Sequence, residues 1–372
     1  AASVVYKRQV YTFTLRQEAR WTNGDPVTAQ DFIHSFQRIL TPELASEYAY
    51  MLFLMKNAEA YHQGSLEDFS QVGAKALAEK KLEITLSTAA PYFLSLLNHY
   101  TWYPVHLKTI EKHGGLYDRS NPWTKPGNFV GNGPFKLKEW RLNDVLAVEK
   151  NPDYWDADTV RLQAIHFYPM ESAETQDRAF RAGRLHNTYE MIPAKIEKYE
   201  TDSPEILRKD PYLGSYFYRY NTTEPPFDDV RVRRALAMAI DRESIVKNVS
   251  RGGQIPANYF TPPSTAGYTT RARIPSDVEA AKALLAEAGY PNGEGFPKAS
   301  IIFNTSENHR SIAAAIQEMW RKHLNIEVEL NNQEWKVYLD AQRNLQYNIS
   351  RAGWIGDYVD PNSFLDMWTS WS

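Results

Sequence analysis

Ser350-Arg-Ala-Gly-Trp-Ile-Gly-Asp-Tyr-Val-Asp-Pro361 is the stretch from which the rest of this chain is read. Tyr347 to Arg351 has the composition of a strand. It is expected to feed a glycine-broken loop carrying Arg351, Trp354 and Asp357, because Gly353 and Gly356 let a backbone bend. A cation, a large flat ring and an anion then lie close together in sequence. Arginine clasps a carboxylate with two parallel hydrogen bonds. An ionised aspartate only accepts, which suits an ammonium group. The set matches a zwitterion such as a peptide or amino acid. The alternative is that Arg351 and Asp357 pair with each other across a turn while Trp354 is core.

Upstream of this stretch, helix and strand alternate. Ile301 to Asn304 is a predicted strand, and Asn304 to His309 turns into a helix whose buried face is Ile312, Ile316, Met319 and Trp320. Ile326, Val328 and Leu330 alternate as a strand, and Trp335 to Gln342 begins a further helix. This is the pattern of an α/β lobe with a largely parallel sheet. Ser276 to Gly289 is a predicted helix, with Ser276 and Glu279 as a capping box and Gly289 as its stop. Val232, Ala235, Leu236, Ala239 and Ile240 form one apolar helical stripe, which reads as core. Asp210 to Asn221 is read as a strand with rings on both faces, and a lobe change is placed there.

The N-terminal part is read in the same way. Val10 to Arg16 alternates as a strand. A helix follows, with Thr28 as its cap, Asp31 at its third position, and Phe32, Phe36, Ile39 and Leu40 on one face. Lys81 to Ser87 is a strand and Pro91 to Tyr100 a short helix. Phe135 to Trp140 and Val145 to Lys150 flank Asn143-Asp144 as a hairpin. Glu174 to Ala182 is a helix ending at Gly183.

A chain of 372 residues is too long for one compact core. Hydrophobic residues make up 43% and charged residues 23%, the balance of a globular protein. A formal net charge of -3 gives no reason to expect nucleic acid as a partner. The chain has no cysteine, so disulfides, thiolate nucleophiles and cysteine metal sites are excluded. No Gly-x-Ser-x-Gly elbow, His-Glu-x-x-His helix or phosphate loop occurs. A pair of carboxylates meeting only in the fold stays open as a hydrolase reading.

Several motifs resemble one family. Arg351-Ala-Gly-Trp354 followed by Asp357-Tyr and Pro361-Asn-Ser-Phe-Leu365 resembles the ligand loop of the periplasmic oligopeptide-binding proteins of ABC importers. The resemblance extends through Trp21-Thr-Asn-Gly-Asp-Pro-Val-Thr-Ala-Gln-Asp-Phe32, Asn132-Gly-Pro-Phe-Lys-Leu137 and Asn151-Pro-Asp-Tyr-Trp155. It continues through Pro226-Phe-Asp-Asp-Val-Arg-Val-Arg233, Ala286-Glu-Ala-Gly289 and Asn332-Gln-Glu-Trp335, in the family's order. The resemblance implies an α/β, type II-like periplasmic-binding fold, with two lobes and an accessory domain around a ligand cleft. Residues 1–113 would form the accessory domain with the end of a lobe strand, residues 114–213 part of lobe I, and residues 214–372 most of lobe II. Ala1 to Arg8 does not read as a natural start, and against the family both ends look truncated, with any signal segment outside this sequence.

By the same resemblance, Asp357 takes a peptide ammonium, and Arg351, with His309 or Arg219, takes the carboxylate of a short ligand. Trp335, Trp354, Tyr48, Tyr212 and Phe217 bound its side-chain pockets. Residue alone, Tyr48 also reads as packing on the following helix, Arg219 as a surface arginine, and His309 as incidental to a helix start. Two positions depart from the family. Arg219 stands where an acidic residue is common, and Gln342 where an arginine occurs. The implied function is capture of short peptides for an inner-membrane ABC permease, by a monomer in the periplasm or anchored to the envelope, with no cofactor and no catalysis. A binder of dipeptide, murein peptide, nickel chelate or oligosaccharide is the neighbouring alternative.

Overall fold

The computed structural model describes residues 9–369. Packing divides the chain at Pro169/Met170 into two compact units. The boundaries expected at 113/114 and 213/214 are not points of this division.

The N-terminal unit holds two antiparallel sheets. In the first, β1 (Val10–Thr14), β2 (Ala74–Ala78) and β3 (Lys81–Thr85) lie in the order β1-β3-β2. Helix α1 (Ala29–Leu40) starts where Thr28 is extended and Asp31 reaches back, accepting from Thr28 N at 2.7 Å and Thr28 Oγ1 at 3.0 Å. The first of these satisfies a backbone donor that a helix N-terminus leaves without an intrahelical partner. Phe36 and Leu40 of α1 are buried with Trp21, Leu52, Met55 and Phe93. The second sheet is the meander β4 (Phe135–Arg141), β5 (Val145–Lys150) and β6 (Ala164–Phe167). The predicted hairpin is present, and Asn143 takes the left-handed conformation in its turn.

The C-terminal unit opens with α2 (Ala173–Arg181), capped by Ser172, whose Oγ accepts from Thr175 N at 3.2 Å. Its sheet has four strands in the order β7-β10-β8-β9: β7 (Gly214–Tyr220), β8 (Ala299–Asn304), β9 (Val328–Gln333) and β10 (Ile349–Ile355). β8 runs parallel to both β9 and β10, while β7 is antiparallel to β10. The parallel steps need crossovers. Helices α5 (Glu307–Leu324) and α6 (Trp335–Arg343) supply them.

Successive side chains alternate across a strand, so each strand has two faces. On one face Ile301, Phe303 and Ile349 meet α3 (Val230–Met238), α4 (Val278–Glu287) and α5 through Val232, Leu236, Leu285, Ile312, Ile316 and Trp320. The predicted stripe of α3 is buried throughout. Fully burying such side chains stabilises the fold by about 1.5–3 kcal/mol each. Trp320 is fully buried, and its indole N–H donates to Leu236 O at 2.8 Å, so no polar cost offsets its packing. On the other face Ile302 packs on Tyr338 and Ala341 of α6.

Two local expectations are corrected. β10 does not give way to a loop at Arg351; it continues through Gly353 to Ile355, paired residue by residue with β7. Gly353 sits opposite Tyr216 in that ladder, and the pairing overrides the turn signal that a glycine gives locally. The strand ends before Gly356, and the chain bends over residues 357–360. Second, the cap of α4 is Asp277, not Ser276. The Asp277 carboxylate accepts from Ala280 N at 3.0 Å, while Ser276 Oγ donates to Ile240 O at 2.7 Å. Glu279 pairs with Lys282 at 2.9 Å instead of closing a capping box. Gly289 is the stop, at φ +97°.

Candidate functional site

The alternation of β10 sorts the expected residues onto two faces of one sheet. Ile349, Arg351 and Gly353 share the face of the large core and oppose Tyr220, Tyr218 and Tyr216 of β7. Ser350, Ala352 and Trp354 share the other face and oppose Arg219, Phe217 and Ser215. Arg351 and Trp354 therefore cannot wall the same spot on the sheet.

On the first face, Arg351 is half-buried. Its Nη1 donates to Asn304 Oδ1 at 3.1 Å, and its guanidinium lies 4.8 Å from the ring centre of Tyr216. Its Nε is buried with no acceptor among the described residues. Among the described residues Arg351 and Asp357 form no ion pair with each other; Arg351 is held by Asn304 and the Tyr216 face. His309, in the first turn of α5, shares a 3.4 Å hydrogen bond with the Tyr216 hydroxyl. Burial, with Arg351 adding to it, holds the His309 imidazole down to about 3, so the ring is neutral at neutral pH. Burial also pushes the Tyr216 and Tyr218 phenols up, which keeps them protonated donors. The cluster is thus a cation, phenol donors and a neutral imidazole, without a carboxylate. Chemically, such a set of donors can receive an anion with acceptor oxygens.

Asp357 lies just past β10. Its backbone N–H donates to Ser363 Oγ at 2.9 Å. Trp354 Nε1 donates to Ser363 O at 2.6 Å, so one buried serine fixes both the ring and the aspartate. Gly356 N donates to Leu213 O at 2.9 Å. A Cβ at Gly356 would stand 2.8 Å from Leu213 Cδ2 and 2.9 Å from Phe364 Cε2. A side chain there would have to displace Leu213 or Phe364. Burial pushes the Asp357 carboxyl up to about 6, so it is ionised at neutral pH and close to titrating below it.

On the second face, Phe217 packs edge-on to Phe260 at 4.9 Å. Trp335 begins α6, is exposed and stacks on Tyr338 at 5.6 Å. The Tyr338 hydroxyl donates to Arg351 O, tying α6 to β10. Arg219 is exposed and donates from Nη2 to Gln342 Oε1 at 3.4 Å. Tyr212 falls before β7 and is 73% exposed, so no neighbouring side chain encloses it in this unit.

Tyr48 belongs to the N-terminal unit. It stacks on His99 at 5.2 Å and on Tyr50 at 5.8 Å, with Tyr100 tilted against it. Tyr50 belongs to the short helix Ala49–Leu52 that follows, so Tyr48 does pack on that helix, as well as on His99 and Tyr100.

Sequence reading missed Asn304, Tyr216 and Ser363. Asn304 ends the predicted strand β8, and a polar residue at a strand's C-terminal end was the signal available. Tyr216 lay in the ring-rich run but carried no pattern that set it apart. Ser363 had no signal beyond its place in the motif.

The chain matches the bacterial extracellular solute-binding proteins, family 5 (middle part), over residues 3–372, and it belongs to that family. It is 39% identical to the oligopeptide-binding protein OppA of Bacillus subtilis over 96% of this chain and 66% of the relative. The Escherichia coli murein tripeptide binding protein MppA has a structure that superposes with a TM-score of 0.89 at 39% identity, covering 98% of this chain and 71% of that one. The Haemophilus influenzae OppA complex with the peptide RPPGFSPFR superposes with a TM-score of 0.87 at 34% identity, covering 97% and 71%. The chain spans about two thirds of the length of the curated relative. The periplasmic-binding α/β fold expected from the motifs is therefore the fold of this chain. Among the described residues no helix is long and apolar enough to cross a membrane, and no cluster of three or more His, Asp or Glu could hold a metal.

Proposed function

We propose that this chain captures short peptides outside the cytoplasm and hands them to an ABC importer. The observation that carries this reading is the half-buried Arg351, with one amide partner, an unsatisfied Nε and a neutral His309 beside it. A peptide carboxylate supplies the missing acceptors there. The Asp357 carboxylate, ionised above about 6, takes the α-ammonium. Trp335 and Phe217 contact side chains through ring faces, which tolerate many shapes. The partner is a membrane permease complex, and the location is the periplasm or the outer face of the envelope. Names of similar proteins, which describe peptide binders, support this reading.

Native mass spectrometry of the purified protein, before and after mild unfolding, tests it. Peptide capture predicts co-purified masses spaced as short peptides, or uptake from an added mixture of tri- and tetrapeptides. A protein that stays empty with every peptide, or that binds blocked peptides as well as free ones, would exclude the zwitterion reading. Turnover of the peptide would turn the reading toward a hydrolase.

A further inference from the structure

Arg219 and Gln342, separated by 123 positions in sequence, meet on the face of the sheet opposite Arg351. Gln342 is anchored. Its amide nitrogen donates to the Tyr338 hydroxyl at 2.7 Å, to Ser350 Oγ at 2.7 Å and to Arg351 O at 3.1 Å. Three acceptors around the nitrogen leave the amide oxygen aimed the other way, and that oxygen accepts from Arg219. A neutral oxygen orients a guanidinium without cancelling its charge. Among the described residues Arg219 has no ion-pair partner; its other contact is the Phe217 ring, 6.0 Å away. Arg219 is exposed, and the Phe217 ring beside its guanidinium packs in turn on Phe260.

We infer that Arg219, oriented by Gln342, is a specificity-determining residue that favours peptides carrying an acidic side chain. This rests on the peptide-binding reading and deepens it. The terminal carboxylate has its own cation in Arg351, on the opposite face. Arg219 is a second cation, left for a second carboxylate, and only an Asp or Glu side chain brings one. Flat rings beside it admit the methylene stem of such a side chain, and its sign disfavours lysine and arginine.

Competition binding to the purified protein tests this with tri-alanine, its three single-glutamate versions and the matching glutamine versions. Glutamate at one position is expected to outcompete glutamine by about 5-fold at low salt, with the ratio shrinking as salt is raised. Arg219→Gln brings the ratio to unity, Arg219→Lys keeps part of it, and Gln342→Ala reduces it. Arg343→Gln removes the same charge from the adjacent helix position and keeps the ratio, which separates a local contact from a general field. Equal binding of every glutamate and glutamine pair, or a preference that survives Arg219→Gln, overturns the inference while leaving peptide capture standing. Failure to bind any of these peptides overturns both.

Discussion

At the scale of single residues, the two ends of the proposed zwitterion site titrate in opposite senses. Asp357 is held up to about 6 by burial, and a ligand ammonium favours its ionised form. Affinity for a free-amino peptide should therefore rise from about pH 5 to pH 7, and an N-acetylated peptide should lack that rise; calorimetry across this range reads it directly. Asp357→Asn should weaken free-amino peptides by roughly 10²–10³-fold, because it leaves a desolvated cation unpaired. Unchanged affinity would remove Asp357 from the site. His309 gives a stability prediction. Its folded pKa is depressed to about 3 from the model-peptide value of 6.5, so the unfolded chain takes up the proton first. Stability attributable to His309 is complete above about 6.5 and is lost as pH falls toward 3. Asp357 has the other sign, losing stability as pH rises from 3.8 to about 6. Between pH 6 and 6.5 His309 acts in the same sense as His99, whose imidazole burial also holds below its usual value. His309→Gln should reduce the slope of the urea midpoint across that interval, and an unchanged slope would remove His309 from this account.

At the scale of elements, the placement of the site depends on where β10 ends and turns. Gly356→Ala forces a methyl group against Phe364, which is fully buried and has nowhere to move. Overpacking of this kind costs about 1–3 kcal/mol, and it should displace Asp357. The expected result is a cooperative fold with a lowered midpoint and weakened peptide binding; a variant matching the parent in both would mean the turn is slack. The cap of α4 gives a sharper contrast. Asp277→Ala should cost about 1 kcal/mol, whereas Glu279→Ala should stay within about 0.5 kcal/mol of zero. Sequence placed that helix correctly but misread its cap by one residue, since Ser276 and Asp277 are both good cap residues. What chose Asp277 was the bond drawing Ser276 away to Ile240, 36 positions earlier. The same holds for β10. Helix α5, the buried stripe of α3 and the hairpin β4–β5 were legible because their periodicity is local. The continuation through Gly353 was not, because it is set by pairing with β7 across more than a hundred residues. The motif named Arg351 and Asp357, but only the ladder shows that Trp354 lies on the opposite face from Arg351.

At the scale of the whole molecule, stability and binding should separate experimentally. The core of the C-terminal unit closes around Trp320, whose ring is fully buried and whose N–H is satisfied by Leu236 O. Trp320→Ala creates a cavity and strands that acceptor, so it should cost about 3–5 kcal/mol and lower Tm. Trp320 lies about three turns along α5 from His309. A ligand that binds the folded state alone adds RT ln(1 + [L]/Kd), or about 2.7 kcal/mol at a hundredfold excess over Kd. That increment depends on the site and not on the starting stability. A tripeptide with free ends should therefore raise Tm in both the parent and Trp320→Ala, from different baselines. The same peptide acetylated at its N-terminus and amidated at its C-terminus should raise neither, since it offers no ammonium to Asp357 and no carboxylate to Arg351. Arg351→Met should keep the parent baseline more nearly than Trp320→Ala does, yet lose the increment. An increment that persists in Arg351→Met would move the carboxylate away from the β10 cluster and leave Asp357 as the anchor of the ligand's ammonium end.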